Sequence, residues 1–98
     1  MNAKYKPGDL IGFRYDDPGG YGGQRIFLVK EVQPTYNARP YYLCDTFVRI
    51  EVDGGYAWEL TVTRPIDLEA PDRPGEYTTK IDDPNLATML LLKSRDKD

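Results

Sequence analysis

The chain has no histidine and a single cysteine among its 98 residues. Without histidine it lacks the commonest general base and metal ligand, so catalysis would have to rest on carboxylates, tyrosines, lysines or Cys44. Cys44 cannot form an internal disulfide, and its apolar strand context predicts a buried thiol in a reducing compartment. We therefore expect a cytoplasmic protein that is not an enzyme and that has no catalytic residues, cofactor or metal.

Basic charge and long apolar runs are also scarce. Sixteen acidic and thirteen basic residues give a formal net charge of −3, which argues against a duplex nucleic-acid partner because phosphate contacts need a concentrated basic surface. No apolar run reaches the roughly eighteen residues that a membrane-spanning helix needs, so we expect a soluble chain without a signal segment. Its length predicts one domain, 1–98, with its own core.

The most regular pattern present is the alternation of apolar and polar residues from Asp45 to Thr63. It predicts a β-hairpin that turns at Asp53-Gly54-Gly55, since Asp-Gly supplies the positive φ angles of a tight turn. We expect its core-facing side to carry Val48, Ile50, Val52, Tyr56, Trp58, Leu60 and Val62.

Shorter patterns predict the remaining elements. Strands are expected at 10–15, at 25–32 in the centre of the sheet, at 41–44 running on into the hairpin, and at 76–81. Pro65 is expected to take the chain out of the sheet. Asp82 or Asp83 followed by Pro84 predicts the start of a short helix. Residues 1–5 and 94–98 are expected to be disordered.

These elements predict a mainly β fold: a five-stranded antiparallel, partly open barrel whose C-terminal helix covers one open end. A two-layer α+β sandwich is the alternative. The turn Lys6-Pro7-Gly8-Asp9 before the first strand resembles the start of small SH3-like β-barrels, and this resemblance implies the fold alone.

A second resemblance involves Tyr41-Tyr42-Leu43, with Arg25 upstream and Arg64 downstream. This arrangement is similar to the WYL domain, in which a Trp-Tyr-Leu strand lies in a small barrel that senses ligands. Here tyrosine stands in place of the tryptophan. The resemblance implies a ligand-sensing barrel.

Two long connectors carry the candidate binding residues. Residues 16–24 include four glycines around Tyr21, and residues 33–40 include two prolines beside Tyr36. Tyrosine and arginine are over-represented where proteins contact partners, and the chain has eight tyrosines. We predict a contact surface at one end of the barrel, formed by Arg14, Tyr21, Arg25, Tyr36, Arg39 and Tyr41.

The predicted function is that of a non-catalytic binding module, an accessory or inhibitory protein that contacts another protein. Two alternatives stay open at this point. One is a sensor of a small molecule or of single-stranded nucleic acid, which would use the barrel face and stacking on aromatic rings. The other is a structural subunit that self-associates through an exposed strand edge. The sequence leaves the oligomeric state undetermined.

Overall fold

The computed structural model describes residues 3–16, 23–34 and 39–96. The elements in chain order are β1 (Leu10–Tyr15), β2 (Gly23–Gln33), β3 (Tyr41–Val52), β4 (Gly55–Ile66), β5 (Glu76–Ile81) and α1 (Pro84–Asp96). The strands form one antiparallel sheet in the order β4-β3-β2-β1-β5. Within the described residues β4 and β5 do not pair with each other, so the sheet is not closed. The mainly β, partly open barrel with a short C-terminal helix is confirmed.

The two predicted turns form as their residue types require. The Asp9 N–H donates to the Lys6 carbonyl oxygen at 3.0 Å, and Gly8 has a φ of +94°. This is the arrangement of a type II turn, whose third position favours glycine. At the hairpin, Gly54 has a φ of +83°, so a β-branched residue there would be strained.

The helix begins at the predicted residue but lies elsewhere than expected. The Asp83 carboxylate accepts hydrogen bonds from the Asn85 and Leu86 N–H groups, both at 3.1 Å, and so caps the first turn. The prediction that the helix covers an open end of the barrel is wrong. α1 instead lies against one face of the sheet, because that is where Leu90 is fully buried.

The two faces of the sheet each carry a small core. The core on the helix side is formed by Leu10, Ile26, Leu28, Phe47 and Leu90. The core on the opposite face is formed by Tyr5, Ile11, Phe27, Val29, Tyr42, Cys44 and Leu68. Four consecutive β2 residues, 26–29, are buried, which confirms that β2 is covered on both faces at the centre of the sheet.

The expected disorder at 1–5 and 94–98 is corrected for the described residues within those ranges. Tyr5 is buried, and its N–H donates to the Tyr42 hydroxyl at 3.2 Å. Ser94 lies inside α1 and is buried against the sheet. Both residues have long-range partners, which a sequence pattern does not reveal. Residues 1, 2, 97 and 98 lie outside the described residues.

The predicted faces of the β3–β4 hairpin are wrong. The turn contains only Asp53 and Gly54, so Val52 pairs with Gly55 and Arg49 pairs with Trp58. Paired residues share a face, and a change of one residue in the turn moves a whole strand to the other face. Trp58 therefore shares its face with Arg49. The opposite face carries Val48, Ile50 and Val52.

A bulge then resets the pairing within β4. Phe47 pairs with Leu60, whereas its neighbour Thr46 pairs with Val62, which leaves Thr61 as the extra residue. The Thr61 hydroxyl donates to the Thr46 carbonyl oxygen at 3.1 Å. Such a bulge bends the strand and strengthens its twist.

β4 also runs further than expected. Pro65 pairs with Leu43 and stays within the strand, because an edge strand tolerates a missing N–H on its outer side. The chain then turns back over the sheet, where Leu68 is buried. The Tyr42 hydroxyl donates to Glu69 Oε2 at 2.5 Å and holds this returning segment in place. Over the described ranges, no helix is long and apolar enough to cross a membrane.

Candidate binding groove on the helix-side face

One row of side chains crosses all five strands on the helix-side face. Tyr77 of β5 pairs with Arg14 of β1, which pairs with Gln24 of β2, and Arg49 of β3 pairs with Trp58 of β4. The Arg49 Nη1 group donates to Gln24 Oε1 at 2.9 Å and joins the two halves of the row. Because paired residues project from the same face, these five residues stand in one line, which we call the outer row.

The outer row is left open by the helix. The next row inward contains Ile26 and Phe47, and α1 packs there through the buried Leu90. A groove of about 700 Å³ lies over the outer row. Asp83 and Leu86, at the beginning of α1, are among the residues that line it. The groove is thus a concave surface between the sheet and the start of the helix.

Arg49 is positioned from two sides. Its guanidinium carbon lies 4.1 Å from the centroid of the Tyr56 ring, within the range of a cation–π contact. Its Nη1 group donates to Gln24, as described above. Ring and amide together restrict an otherwise flexible side chain, so the charge is held at a defined place in the groove.

Arg14 has the corresponding position on the other side of Gln24. Its guanidinium carbon lies 4.7 Å from the centroid of the Tyr77 ring. Its Nε atom lies 3.5 Å from Asp16 Oδ1, and about half of each of these two side chains is exposed. An exposed pair of this kind is worth about 0–1 kcal/mol, so Asp16 restrains Arg14 only weakly.

Trp58 connects the groove to the helix-side core. Its ring meets that of Tyr56 edge-on, with centroids 6.1 Å apart and an angle of 87°. The side chain is half-buried and packs against the helix-side core. The prediction that Trp58 is a core residue and not a binding residue holds only in part, because the side chain packs against the helix-side core but also lines the groove. Its predicted face is wrong, since it shares the face of Arg49 and not that of Ile50.

The groove is basic, although the protein as a whole is acidic. Of the described residues that line it, Asp83 alone has a carboxylate. That carboxylate already accepts two backbone hydrogen bonds at the start of α1. Arg14 and Arg49 contribute positive charge to the same surface, so the groove suits a ligand group of negative charge.

The described members of the predicted site do not form one surface. β2 has eleven residues, so its two ends, Gly23 and Gln33, are roughly 30 Å apart at about 3.3 Å per residue. Arg14 lies beside the first end, where it pairs with Gln24, and Tyr41 lies beside the second end, where it pairs with Gln33. For these described residues, the expectation of a single contact surface is therefore wrong.

The described members of the predicted site are divided among three places. Arg14 lies in the groove. Arg25 pairs with Phe13, and both residues lie on the face opposite the helix. Arg25 borders the groove and also a cavity of about 290 Å³ on that opposite face. Arg39 and Tyr41 lie at the far end of the sheet, where Arg39 Nη2 is 2.7 Å from Asp67 Oδ2. Tyr21 and Tyr36 lie outside the described residues.

Sequence reasoning missed most of the groove. Gln24, Arg49, Tyr56 and Tyr77 were not among the predicted binding residues, because their convergence depends on strand register. One signal was available: a two-residue Asp-Gly turn places Arg49 opposite Trp58. Counting Gly55 as part of the turn concealed that pairing.

A second polar cluster lies under the far end of the helix. Asp45 is buried, and its carboxylate accepts hydrogen bonds from the Ser94 hydroxyl, from the Thr63 hydroxyl at 2.5 Å and from Lys30 Nζ at 3.3 Å. Burial raises the pKa of Asp45, but the hydrogen bonds from Ser94, Thr63 and Lys30 outweigh it and leave the pKa below its usual value. The cluster fastens α1 to the sheet.

Cys44 is buried in the core opposite the helix, as predicted. Burial, helped by the nearby charge of Asp45, raises the pKa of its thiol to about 12. The thiol therefore stays protonated near neutral pH, and a protonated thiol is a poor nucleophile. Within the described ranges no three acidic, cysteine or histidine side chains lie close enough together to hold a metal ion.

Comparison of this chain with protein-family models, with curated proteins and with solved structures finds no match. The SH3-like and WYL resemblances stay predictions. What the groove does must therefore be argued from its own geometry and chemistry.

Proposed function

We propose that this protein is a non-catalytic binding module, an accessory or inhibitory protein, which contacts a protein partner through the groove over the outer row. The observation that carries this proposal is the convergence of Trp58, Tyr56, Tyr77, Arg14 and Arg49 on one concave surface. Tryptophan, tyrosine and arginine are the residue types that dominate the binding energy of protein interfaces.

The contacts that hold these side chains in place strengthen the proposal. All five project from β-strands, and Arg14 and Arg49 are each restrained by a tyrosine ring. A restrained side chain loses less conformational entropy when a partner binds, so more of the interaction energy appears as affinity.

A small-molecule or single-stranded nucleic-acid sensor is the second candidate. The volume of the groove, about 700 Å³, favours it, because small-molecule sites commonly measure about 300–1,000 Å³. Calorimetry against a panel of nucleotides and oligonucleotides tests it. Saturable binding to a panel member that Arg49→Gln abolishes would support this candidate over a protein partner.

Self-association is a third candidate, and the outer edge of β4 favours it. β4 is a twelve-residue edge strand on which Val62 is 43% exposed, and an exposed strand edge can pair with another chain. Light scattering over a range of concentrations tests it. A constant monomer mass would remove this candidate.

A cytoplasmic location and an SH3-like barrel are parts of the proposal. The burial of Cys44, the single cysteine, supports a reducing compartment. The type II turn of Lys6 to Asp9, directly before β1, supports the SH3-like assignment.

Affinity capture from the native cell extract, with mass spectrometry, tests the main proposal. The bait is compared with the double variant Arg14→Gln and Arg49→Gln, and with Arg64→Gln as a matched control. Arg64 is exposed, pairs with Cys44 and shares the face opposite the helix. We expect the double variant to lose a partner that the control retains. Identical captures with equally folded baits would overturn the proposal.

A further inference from the structure

We infer that the groove binds an acidic segment of the protein partner, with side-chain carboxylates seated on Arg14 and Arg49. This inference rests on the proposed function, because it names the chemistry of the segment that the groove receives. Three features carry it: the donors that these arginines have available, the distance between the arginines, and the distribution of charge around them.

The first feature is the availability of donors on Arg49. A guanidinium has five N–H donors and pairs with a carboxylate through two of them. Among the described residues, Gln24 is the one hydrogen-bond acceptor at the Arg49 guanidinium, and it takes a single Nη1 donor. Tyr56 covers the guanidinium without accepting a conventional hydrogen bond from it. Donors for a carboxylate therefore remain on an exposed group.

The second feature is spacing. Arg14 and Arg49 are separated by β2, so their Cα atoms are about two strand spacings, or roughly 10 Å, apart. A peptide in the polyproline II conformation advances about 3.1 Å per residue with three residues per turn, so two acidic residues three positions apart project from the same side and span about 9 Å. The Gln24 side chain lies between the two arginines, where an amide can hydrogen-bond to the backbone of such a peptide.

The third feature is charge. The one carboxylate among the described lining residues, that of Asp83, is directed to the helix N-terminus. Asp16 makes only a long contact to Arg14 of 3.5 Å, which an incoming carboxylate can replace. A basic segment would meet two arginines, whereas an acidic segment is electrostatically complementary to them.

The same contacts favour a peptide over a nucleic-acid strand. Single-stranded nucleic acids bind through aromatic rings on which successive bases stack. In the groove, Arg49 lies over the Tyr56 ring and Arg14 lies over the Tyr77 ring, while Trp58 is half-buried and meets Tyr56 edge-on. Each ring is thus already engaged. The net charge of −3 also opposes a long phosphate chain.

The experiment is a titration with defined probes, followed by calorimetry and by the fluorescence of Trp58, the single tryptophan. The probes are a peptide of about twelve residues with glutamate at every third position and glycine or serine elsewhere, its glutamine counterpart, and an oligothymidine of about the same length. The proteins are the wild type, Arg14→Gln, Arg49→Gln, Arg49→Lys and the control Arg64→Gln.

We expect the wild type to bind the glutamate peptide at least about tenfold more tightly than the glutamine peptide. Arg14→Gln and Arg49→Gln are each expected to weaken binding of the glutamate peptide about tenfold. Arg49→Lys is expected to recover only part of the loss, because lysine keeps the charge but not the paired donors. Arg64→Gln is expected to bind like the wild type. Added salt is expected to weaken binding to the wild type more than to Arg49→Gln.

Two outcomes would overturn the inference. Tighter binding of oligothymidine than of the glutamate peptide would assign the groove to a nucleic-acid strand. Equal binding of the glutamate and glutamine peptides, or no binding of either, would show that carboxylates are not recognised. Affinity capture tests the proposed function separately. If capture finds a partner that depends on the groove but the titration fails, the acidic segment is ruled out and the proposed binding module is retained.

Discussion

Two regions of the same sheet face differ in what covers them. Under the helix, Leu28 and Phe47 are completely buried. In the outer row, on the same face of the sheet, Tyr77 is 49% exposed and Arg14 is also exposed. The strands are continuous and alternate with the same period in both regions, so β-structure alone does not distinguish them. The difference is that the helix packs over one region and leaves the other open.

The chemistry of the side chains changes at the edge of the region that α1 covers. Where α1 packs, the face is apolar. The one buried charge among its described residues, Asp45, accepts hydrogen bonds from Ser94, Thr63 and Lys30. Beyond α1, the face carries arginines held by aromatic rings. The covered region therefore stabilises the fold, and the open region is where we propose that a partner binds. Separate changes in the two regions test this division.

The largest effect is expected in the covered region, from Phe47→Ala. Phe47 is fully buried in the helix-side core, so truncation leaves a cavity and should cost about 3–5 kcal/mol of unfolding free energy. Denaturant melts followed by circular dichroism measure it. Tyr56→Ala, at a side chain that is 54% exposed, is the matched control and should cost less than about 1 kcal/mol. Equal losses would contradict the division of the face.

The next largest effect is expected from Asp45→Asn, which weakens the attachment of the helix. The folded-state pKa of Asp45 is depressed, so its contribution is fully present above the unfolded value of about 3.9 and is lost as pH falls through the folded value. At pH 7 we expect a loss of about 1–3 kcal/mol.

Melts of wild type and Asp45→Asn at a series of pH values test this expectation. The two proteins should differ at neutral pH and approach each other as the pH falls below about 4, because the carboxyl of the unfolded chain is protonated first and that of the folded protein only at lower pH. A difference that does not change with pH would show that the loss comes from altered hydrogen-bond geometry and not from charge.

Trp58→Ala examines the boundary between the two regions. The side chain is half-buried and packs against the helix-side core, so its truncation should cost about 1–3 kcal/mol, less than that of Phe47. Denaturant melts measure the loss, and the emission maximum of the native protein gives an independent check. Water-like emission combined with unchanged stability would place Trp58 wholly in the open region.

The smallest effect on stability is expected from Arg49→Gln. Arg49 is exposed and contacts Gln24 and Tyr56, so its replacement should change the unfolding free energy by no more than about 0.5–1 kcal/mol. The same variant is expected to lose binding. A large loss of stability would mean that the arginine–tyrosine contacts are structural and would assign the outer row to the fold.

Local features were predictable from the sequence. The turn at Gly8, the turn at Gly54 and the Asp83 cap each depend on a few neighbouring residues whose backbone preferences are strong. The order and type of the elements followed from the same short-range patterns. The burial of Cys44 was also predictable, because a lone cysteine in an apolar strand is most often a small core residue.

The groove was not predictable in this way, because it depends on contacts between distant segments. One residue in the length of the Asp53-Gly54 turn decides whether Trp58 shares a face with Arg49 or with Ile50. Tyr77, Arg14 and Gln24 come from three strands separated in sequence. The position of α1 depends on the pairing of Asp45 with Ser94, which lies 49 residues further along the chain.

A mainly β chain with a capped C-terminal helix follows from the sequence, because alternation, turn chemistry and capping act over a few residues. Tertiary structure alone decided which face each strand presents, how far α1 reaches across the sheet, and that Arg14 and Arg49 meet aromatic rings in one groove. The physical reason is that strand register and helix docking are selected by the packing of the whole sheet, where a shift of one residue exchanges the two faces.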